Sequence, residues 1–276
     1  MTTTLRLLAA GALLAGLLPA HAVAQQRMTQ PMPSPRASVS QTIGITQVSV
    51  EYSRPGVKGR EIFGNPQIVP YDSGQPWRAG ADENTVVEFE HDVTVEGQPL
   101  AAGRYGVHIF PKSSGPWTVA FSKDNASWGS YTYDASRDAL RVEVTPMEAP
   151  QREWLQYEFR DLGTHGATLV MHWDETALPV KLGVDTTALM VEYLNTDYVR
   201  GYGFWQAPQL LAAASWCDRN DVNLENAEAW AARATASAPD ANGLSTLASI
   251  QAKLGKTTEA EETRKRAAEL SPEAEG

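Results

Sequence analysis

From about residue 36 to residue 185 apolar side chains recur at every second position in short blocks, and after Asp185 that period is abandoned. Val48, Val50 and Tyr52 alternate with Ser49 and Glu51. Val87 and Phe89 alternate with Glu88 and Glu90, Trp117, Val119 and Phe121 with Thr118, Ala120 and Ser122, and Val142 and Val144 with Arg141 and Glu143. A strand that reads this way has one dry face and one wet face. Further strands are predicted at 37–43, 92–95, 104–110, 154–159, 167–173 and 178–184, about ten in all, with turn chemistry at Glu96-Gly97, Ala102-Gly103 and 163–166. So many short, closely spaced strands predict an antiparallel β-sandwich or barrel over 36–185 and disfavour a parallel sheet.

Beyond Asp185, Leu189, Met190, Tyr193 and Leu194 fall at helical spacing, and the remainder is rich in Ala, Leu, Glu and Lys. Residues 186–276 are therefore expected to be α-helical. Two stretches superpose at an offset of 33: Ala227, Ala234 and Pro239 fall on Ala260, Ala267 and Pro272. This is similar to tetratricopeptide repeats, in which small residues let paired helices approach closely. The first copy is the weaker, with Asp221 where its partner has Leu254. Two repeats bury too little for stability, so these helices are expected to pack on Leu189–Trp205, on the sandwich, or on a second chain.

The amino terminus carries Arg6, an apolar run from Leu7 to Leu18, and Ala20-His21-Ala22-Val23-Ala24, the pattern of an export signal cleaved after Ala24. Residues 25–35 read as a flexible leader. The apolar run is shorter than the ~20 residues of a membrane-spanning helix, so the expectation is a periplasmic or secreted protein with no integral membrane segment. Cys217 is the single cysteine and cannot form an internal disulfide, so the fold must rest on its apolar core. The formal net charge of −10 argues against nucleic acid and anionic membranes as partners.

Against that acidic background one segment stands apart. Ser53 to Gly64 holds Arg54, Lys58 and Arg60 among three glycines, and Pro76-Trp77-Arg78-Ala79-Gly80-Ala81-Asp82-Glu83 follows nearby. Guanidinium forks bind carboxylate or phosphate bidentately, and an indole offers a plate for a sugar ring. Arg54, Lys58, Arg60, Trp77, Arg78 and Glu83 are therefore the candidate ligand-binding residues, for a small anionic or carbohydrate ligand. The same arginines would equally serve to pin the loop through Asp82 and Glu83.

These segments, with Val69-Pro70-Tyr71, Trp77-Arg78-x-Gly80-Ala81-x-Glu83, Gly103-x-Tyr105-Gly106, Trp128-Gly129 and Trp154-Leu155-x-Tyr157, resemble the exported bacterial family called Domain of Unknown Function 2911 over about residues 36–184. The resemblance implies a secreted β-sandwich and leaves the activity open.

Catalytic signals are sparse. His91, His108, His165 and His172 show no metal-ligand spacing, and neither a metal nor a cofactor is implied. Glu83 and His108 are the candidate acid or base of a hydrolase. No Gly-x-Ser-x-Gly elbow is present, and Cys217 beside Trp216 reads as a buried, inert thiol. Trp128, Tyr131 and Tyr133, in a turn-rich segment, would form a carbohydrate-stacking strip if exposed. The sequence thus defines a ligand-binding or interaction module, with two alternatives: an extracytoplasmic hydrolase, and a protein-docking platform in which the helical tail takes a protein partner.

Overall fold

The computed structural model describes residues 30–201 and 206–271. The export signal and most of the leader lie outside these residues, as do Trp205 and Pro272. Six strands, β1 (Arg36–Ile43), β2 (Thr46–Ser53), β3 (Thr85–Phe89), β6 (Gly103–Phe110), β7 (Trp117–Ser122) and β8 (Asp138–Val144), form one antiparallel sheet in the order β1-β2-β3-β6-β7-β8. Four more, β4 (Val93–Val95), β5 (Gln98–Leu100), β9 (Met147–Arg160) and β10 (Gly166–Gly183), form a second in the order β5-β4-β10-β9.

The period-two residues explain why the layers pack. Val48, Val50, Val87, Phe89, Val119 and Phe121 from the first sheet share one buried cluster with Leu155, Leu169, Met171 and Leu178 from the second. Each such side chain contributes about 1.5–3 kcal/mol by leaving water. The chain is thus a sandwich of two antiparallel sheets followed by a helical region.

Three local departures from the sequence reading have physical causes. The strands expected at 167–173 and 178–184 are one bent strand, β10, whose register with β9 slips on both sides of Asp174. Asp174 takes a left-handed φ of 52°, so Asp174-Glu175-Thr176 is a bulge that joins the two expected strands. β9 begins seven residues before the expected 154 because its first half runs along a sheet edge, where alternation is relaxed and Pro150 is tolerated. β5 escaped detection because it is only three residues long; it pairs with β4 across a two-residue Glu96-Gly97 turn in which both residues have positive φ.

Five helices follow: α1 (Thr186–Tyr193), extended by a π-helical turn at Leu194–Tyr198, then α2 (Ala207–Asn220), α3 (Leu224–Ser237), α4 (Ala241–Lys253) and α5 (Thr257–Glu269). Asp185 caps α1 by accepting from the Ala188 N–H, and Asp240 caps α4 through Gly243. The fully buried Ala227, Ala231 and Ala234 let α3 pack closely, and they share a core with Leu210, Cys217, Leu247 and Ile250. Leu194 and Val199 belong to the same core. Of the three supports expected for the helices, the segment after Leu189 is therefore one in use. Cys217 is fully buried and its thiol pKa is raised by burial, which makes it inert at neutral pH.

The junction of sandwich and helices is tight. Only Val184 and Asp185 separate β10 from α1. The Thr186 hydroxyl donates to the Thr164 carbonyl at 2.6 Å. The Thr186 side chain also fills the space beside Gly44, where any added Cβ would stand 2.1 Å from Thr186 Oγ1.

Candidate functional site

Residues 53–58 leave β2 and run beside β9 as an irregular extra strand. Leu155 N–H donates to Pro55 O at 3.0 Å, and Val57 N–H donates to Glu153 O at 2.7 Å. Residues 76–78 instead attach to the first sheet, where Trp77 and Ile109 exchange N–H···O bonds of 2.7 and 2.8 Å. The two segments meet at Gly80, where an added Cβ would lie 3.1 Å from Ser53 O and 2.8 Å from Thr85 Oγ1. A side chain there would force them apart.

Between them opens a cleft of about 760 Å³. Lys58, Arg60, Arg78, Trp77 and Tyr131 line it, and Trp173 contributes to its apolar floor. Trp77 and Trp173 stack with ring centres 5.8 Å apart, joining the two sheets beneath the opening. The Trp173 indole N–H has no acceptor among the described residues although the side chain is buried. A buried donor left unpaired costs about 1–3 kcal/mol.

Some backbone strain lies in these two segments. Lys58, Ala79 and Asp82 have φ values of 51°, 57° and 59°, a region costly for residues with a Cβ. Ala79 is held there because its carbonyl accepts two hydrogen bonds, from Thr85 Oγ1 at 2.9 Å and from the Tyr157 hydroxyl at 2.8 Å. Burial raises the Tyr157 pKa, so that hydroxyl stays a donor.

Four of the six residues proposed from sequence, Lys58, Arg60, Trp77 and Arg78, come together around the cleft. Arg54 and Glu83 do not line it. Arg54 Nε donates to Leu155 O at 2.8 Å and ties the loop to β9. Glu83 lies 3.6 Å from Arg36, in a pair with both side chains about half exposed, and such pairs contribute only about 0–1 kcal/mol.

The carboxylate clamp weighed above for the arginines is therefore absent among the described residues. None of the ion pairs there involves Arg54, Lys58, Arg60 or Arg78. Arg60 donates to the carbonyls of its own loop, Gly56 at 2.6 Å and Val57 at 3.0 Å. Lys58 reaches Pro33 O at 3.4 Å and lies over the Trp154 ring. The Arg78 guanidinium makes no hydrogen bond with the described residues; it rests against Gly129, where a Cβ would come within 2.5 Å of Nη1.

His108 lies on the outer face of β6, covered by the chain between β7 and β8. It is 2% exposed, its Nδ1 lies 2.8 Å from Ser130 Oγ, and its ring packs on Tyr133. Ser130 lines the cleft. Behind it, Tyr133 and Arg141 converge on Asp138 Oδ2. Desolvation lowers the His108 pKa to about 4, and the charges of Asp138 and Asp124 only partly oppose it; desolvation and hydrogen bonding to Asp138 push Tyr133 up to about 12.

A pH dependence follows. The imidazole takes up its proton near pH 6.5 in the unfolded chain and only near 4 in the fold. The unfolded chain thus holds more protons in between, and stability falls as pH drops through that window. The loss from His108 should approach about 3 kcal/mol at 1.36 kcal/mol per pKa unit, and burial of His172 acts in the same direction. Urea titrations from pH 7 to 4 check this; equal midpoints for wild type and His108→Gln across that range would contradict it.

Of the aromatic strip, Trp128 and Tyr131 are exposed, whereas Tyr133 is half-buried against His108 and Phe110. His91 bonds Thr46, and His172 donates to Pro150 O. The described residues contain no group of three or more His, Cys, Asp or Glu able to hold a metal. Sequence reasoning missed Trp173 as the floor and Ser130 as a wall, because both reach the cleft through long-range folding; Ser130 followed by Tyr131 in a glycine turn was the available signal.

Fold and cleft together define a class, an antiparallel sandwich with a cationic opening at one end. The chain belongs to the DUF2911 family, described as proteins of unknown function, whose family model matches residues 34–182, more than half of the sequence. No curated protein and no solved structure matches it.

Proposed function

We propose that the protein is an exported ligand-binding module whose cleft takes a small anionic ligand, a carboxylate or phosphate attached to a sugar or comparable ring. The observation that carries this is the gathering of Lys58, Arg60 and Arg78 on one opening, without a carboxylate partner among the described residues, in a chain of net charge −10. Like charges that line one opening repel; Arg60 and Lys58 offset this by bonding loop carbonyls, whereas Arg78 has no such partner among the described residues, and an anion would complete the set. The exposed Tyr131 supplies a flat surface beside the charges, as stacking on a ring requires; Trp77, expected from sequence to offer such a plate, is buried and stacked on Trp173 and serves the floor instead.

Export rests on the signal-like amino terminus. The helical tail fits two tetratricopeptide-like hairpins, α2–α3 and α4–α5, with buried alanines at the offset of 33 residues. That likeness supports a role for the tail in docking a protein partner.

Thermal melts with a uronic-acid oligomer, its neutral hexose counterpart and inorganic phosphate test the cleft. Binding at about 100 times Kd stabilises by about 2.7 kcal/mol, so an anionic member should raise Tm by several degrees and the neutral sugar should not. A panel in which no anion moves Tm, or in which the neutral sugar does so equally, would overturn the reading.

A further inference from the structure

We propose that Ser130 and His108 form a nucleophile and general-base pair on the wall of the cleft, making the protein a hydrolase of carboxylic esters that bear a negative charge near the scissile bond. The geometry has four parts. Ser130 lines the cleft, and its Oγ lies 2.8 Å from His108 Nδ1, whose ring is withdrawn from solvent. The base sits on β6, between β3 and β7, so its position is fixed by sheet hydrogen bonds on both sides and by Tyr133 above. Nucleophile and base within hydrogen-bond reach, with the base held by its surroundings, are what activation of a hydroxyl requires.

The third part is a charge that can stabilise an oxyanion. Arg78 Nη1 rests against Gly129, the residue before Ser130, and the guanidinium has no hydrogen-bond partner among the described residues. A cation beside the nucleophile and without an ion-pair partner among the described residues is placed to meet charge that develops on the substrate. The fourth part lies behind the imidazole. Asp138 is nearly buried, and its Oδ1 has no donor among the described residues. Burial disfavours the imidazolium formed when the ring takes up a proton, and Asp138 with Asp124 offsets part of that cost. Asp138 and Asp124 thus act as positioning and electrostatic residues, without touching substrate.

The reaction balances with water alone. Ser130 Oγ attacks the ester carbonyl carbon, a C–O bond forms, the carbonyl π pair moves to oxygen, and the serine proton passes to His108 Nδ1. Collapse breaks the bond to the leaving alcohol, which takes that proton from the imidazole. Water then attacks the acyl-serine, giving its proton to His108; the second collapse expels Ser130 Oγ, which is reprotonated, and a carboxylic acid departs. Lys58 and Arg60 on the same opening would hold the substrate's fixed negative charge.

An uncharged alkyl fluorophosphonate isolates this chemistry from anion binding. Its P–F bond breaks as an Oγ–P bond forms, fluoride leaves and the proton goes to His108. The full chain should be labelled on Ser130, identified by peptide mass. Ser130→Ala should abolish the label, and the exposed Ser40→Ala should leave it unchanged. His108→Gln should slow it by roughly 10²-fold or more. Because His108→Gln could unfold, turnover of p-nitrophenyl hemiglutarate against p-nitrophenyl butyrate gives a second measure: wild type should prefer the charged ester, Lys58→Gln should remove most of that preference, and Arg78→Gln should slow both esters. Absence of label from native wild type, or equal labelling of Ser130→Ala, would overturn the pair while leaving the anion-binding reading to its own melting test.

Discussion

Arg78→Ala is expected to weaken binding of an anionic ligand by roughly 10- to 100-fold while leaving the melting temperature of the free protein nearly unchanged. A hydrogen bond to a charged group contributes about 1.5–3 kcal/mol, which converts to that range of affinity. The guanidinium makes no hydrogen bond or ion pair with the described residues, so its removal leaves no orphaned partner behind. Arg54→Ala should do the opposite. Its Nε bond to Leu155 O fastens the loop to β9, so that variant should lose about 1.5 kcal/mol of stability and keep most of its affinity. Calorimetric titration and thermal melts on both variants separate the two effects. A collapse of Arg78→Ala on heating, with affinity unchanged, would show that the residue serves the fold and not the cleft.

The largest loss of stability is expected from Trp173→Ala, about 3–5 kcal/mol, or a fall in Tm of roughly 10–15 °C for a protein of this size. The ring is stacked on Trp77, meets Phe63 edge-on at 6.1 Å, and is 2% exposed. Trp173→Phe should be far milder, because it keeps an aromatic surface and removes the unpaired indole N–H. Differential scanning calorimetry decides the matter, and a shift below about 3 °C for Trp173→Ala would mean that the floor of the cleft is not structural.

How much of this was legible beforehand depended on the range of the interaction. The alternation at Val48-Val50-Tyr52 and at Trp117-Val119-Phe121 is written locally, because a half-buried strand must repeat every second residue. The bulge at Asp174 is not, since a polar triplet serves a turn and a bulge equally well and only pairing with β9 chooses between them. The cationic cluster could be read from Lys58, Arg60 and Arg78, yet its lack of acid partners could not. Asp82 and Glu83 adjoin Arg78 in sequence, but Ala79 and Asp82 adopt left-handed backbone and turn Glu83 towards Arg36. His108 was visible as an isolated strand histidine. Its bond to Ser130, twenty-two positions away, arises because the β7–β8 connection folds back over β6, where Gly106 leaves room for Asp124 and Asn84.

The seating of Thr186 against Gly44 and Thr164 bears on how any captured partner would experience the molecule. A swivel at the root of the tail would let the sandwich tumble independently of whatever grips the helices. Here the first helical turn is wedged between the β1–β2 turn of the first sheet and the β9–β10 connection of the second, and the segment that continues it runs into the core of the hairpins that follow. Torque applied to the tail is transmitted to the strands, so the direction in which the cationic mouth points is inherited from the tail's anchorage.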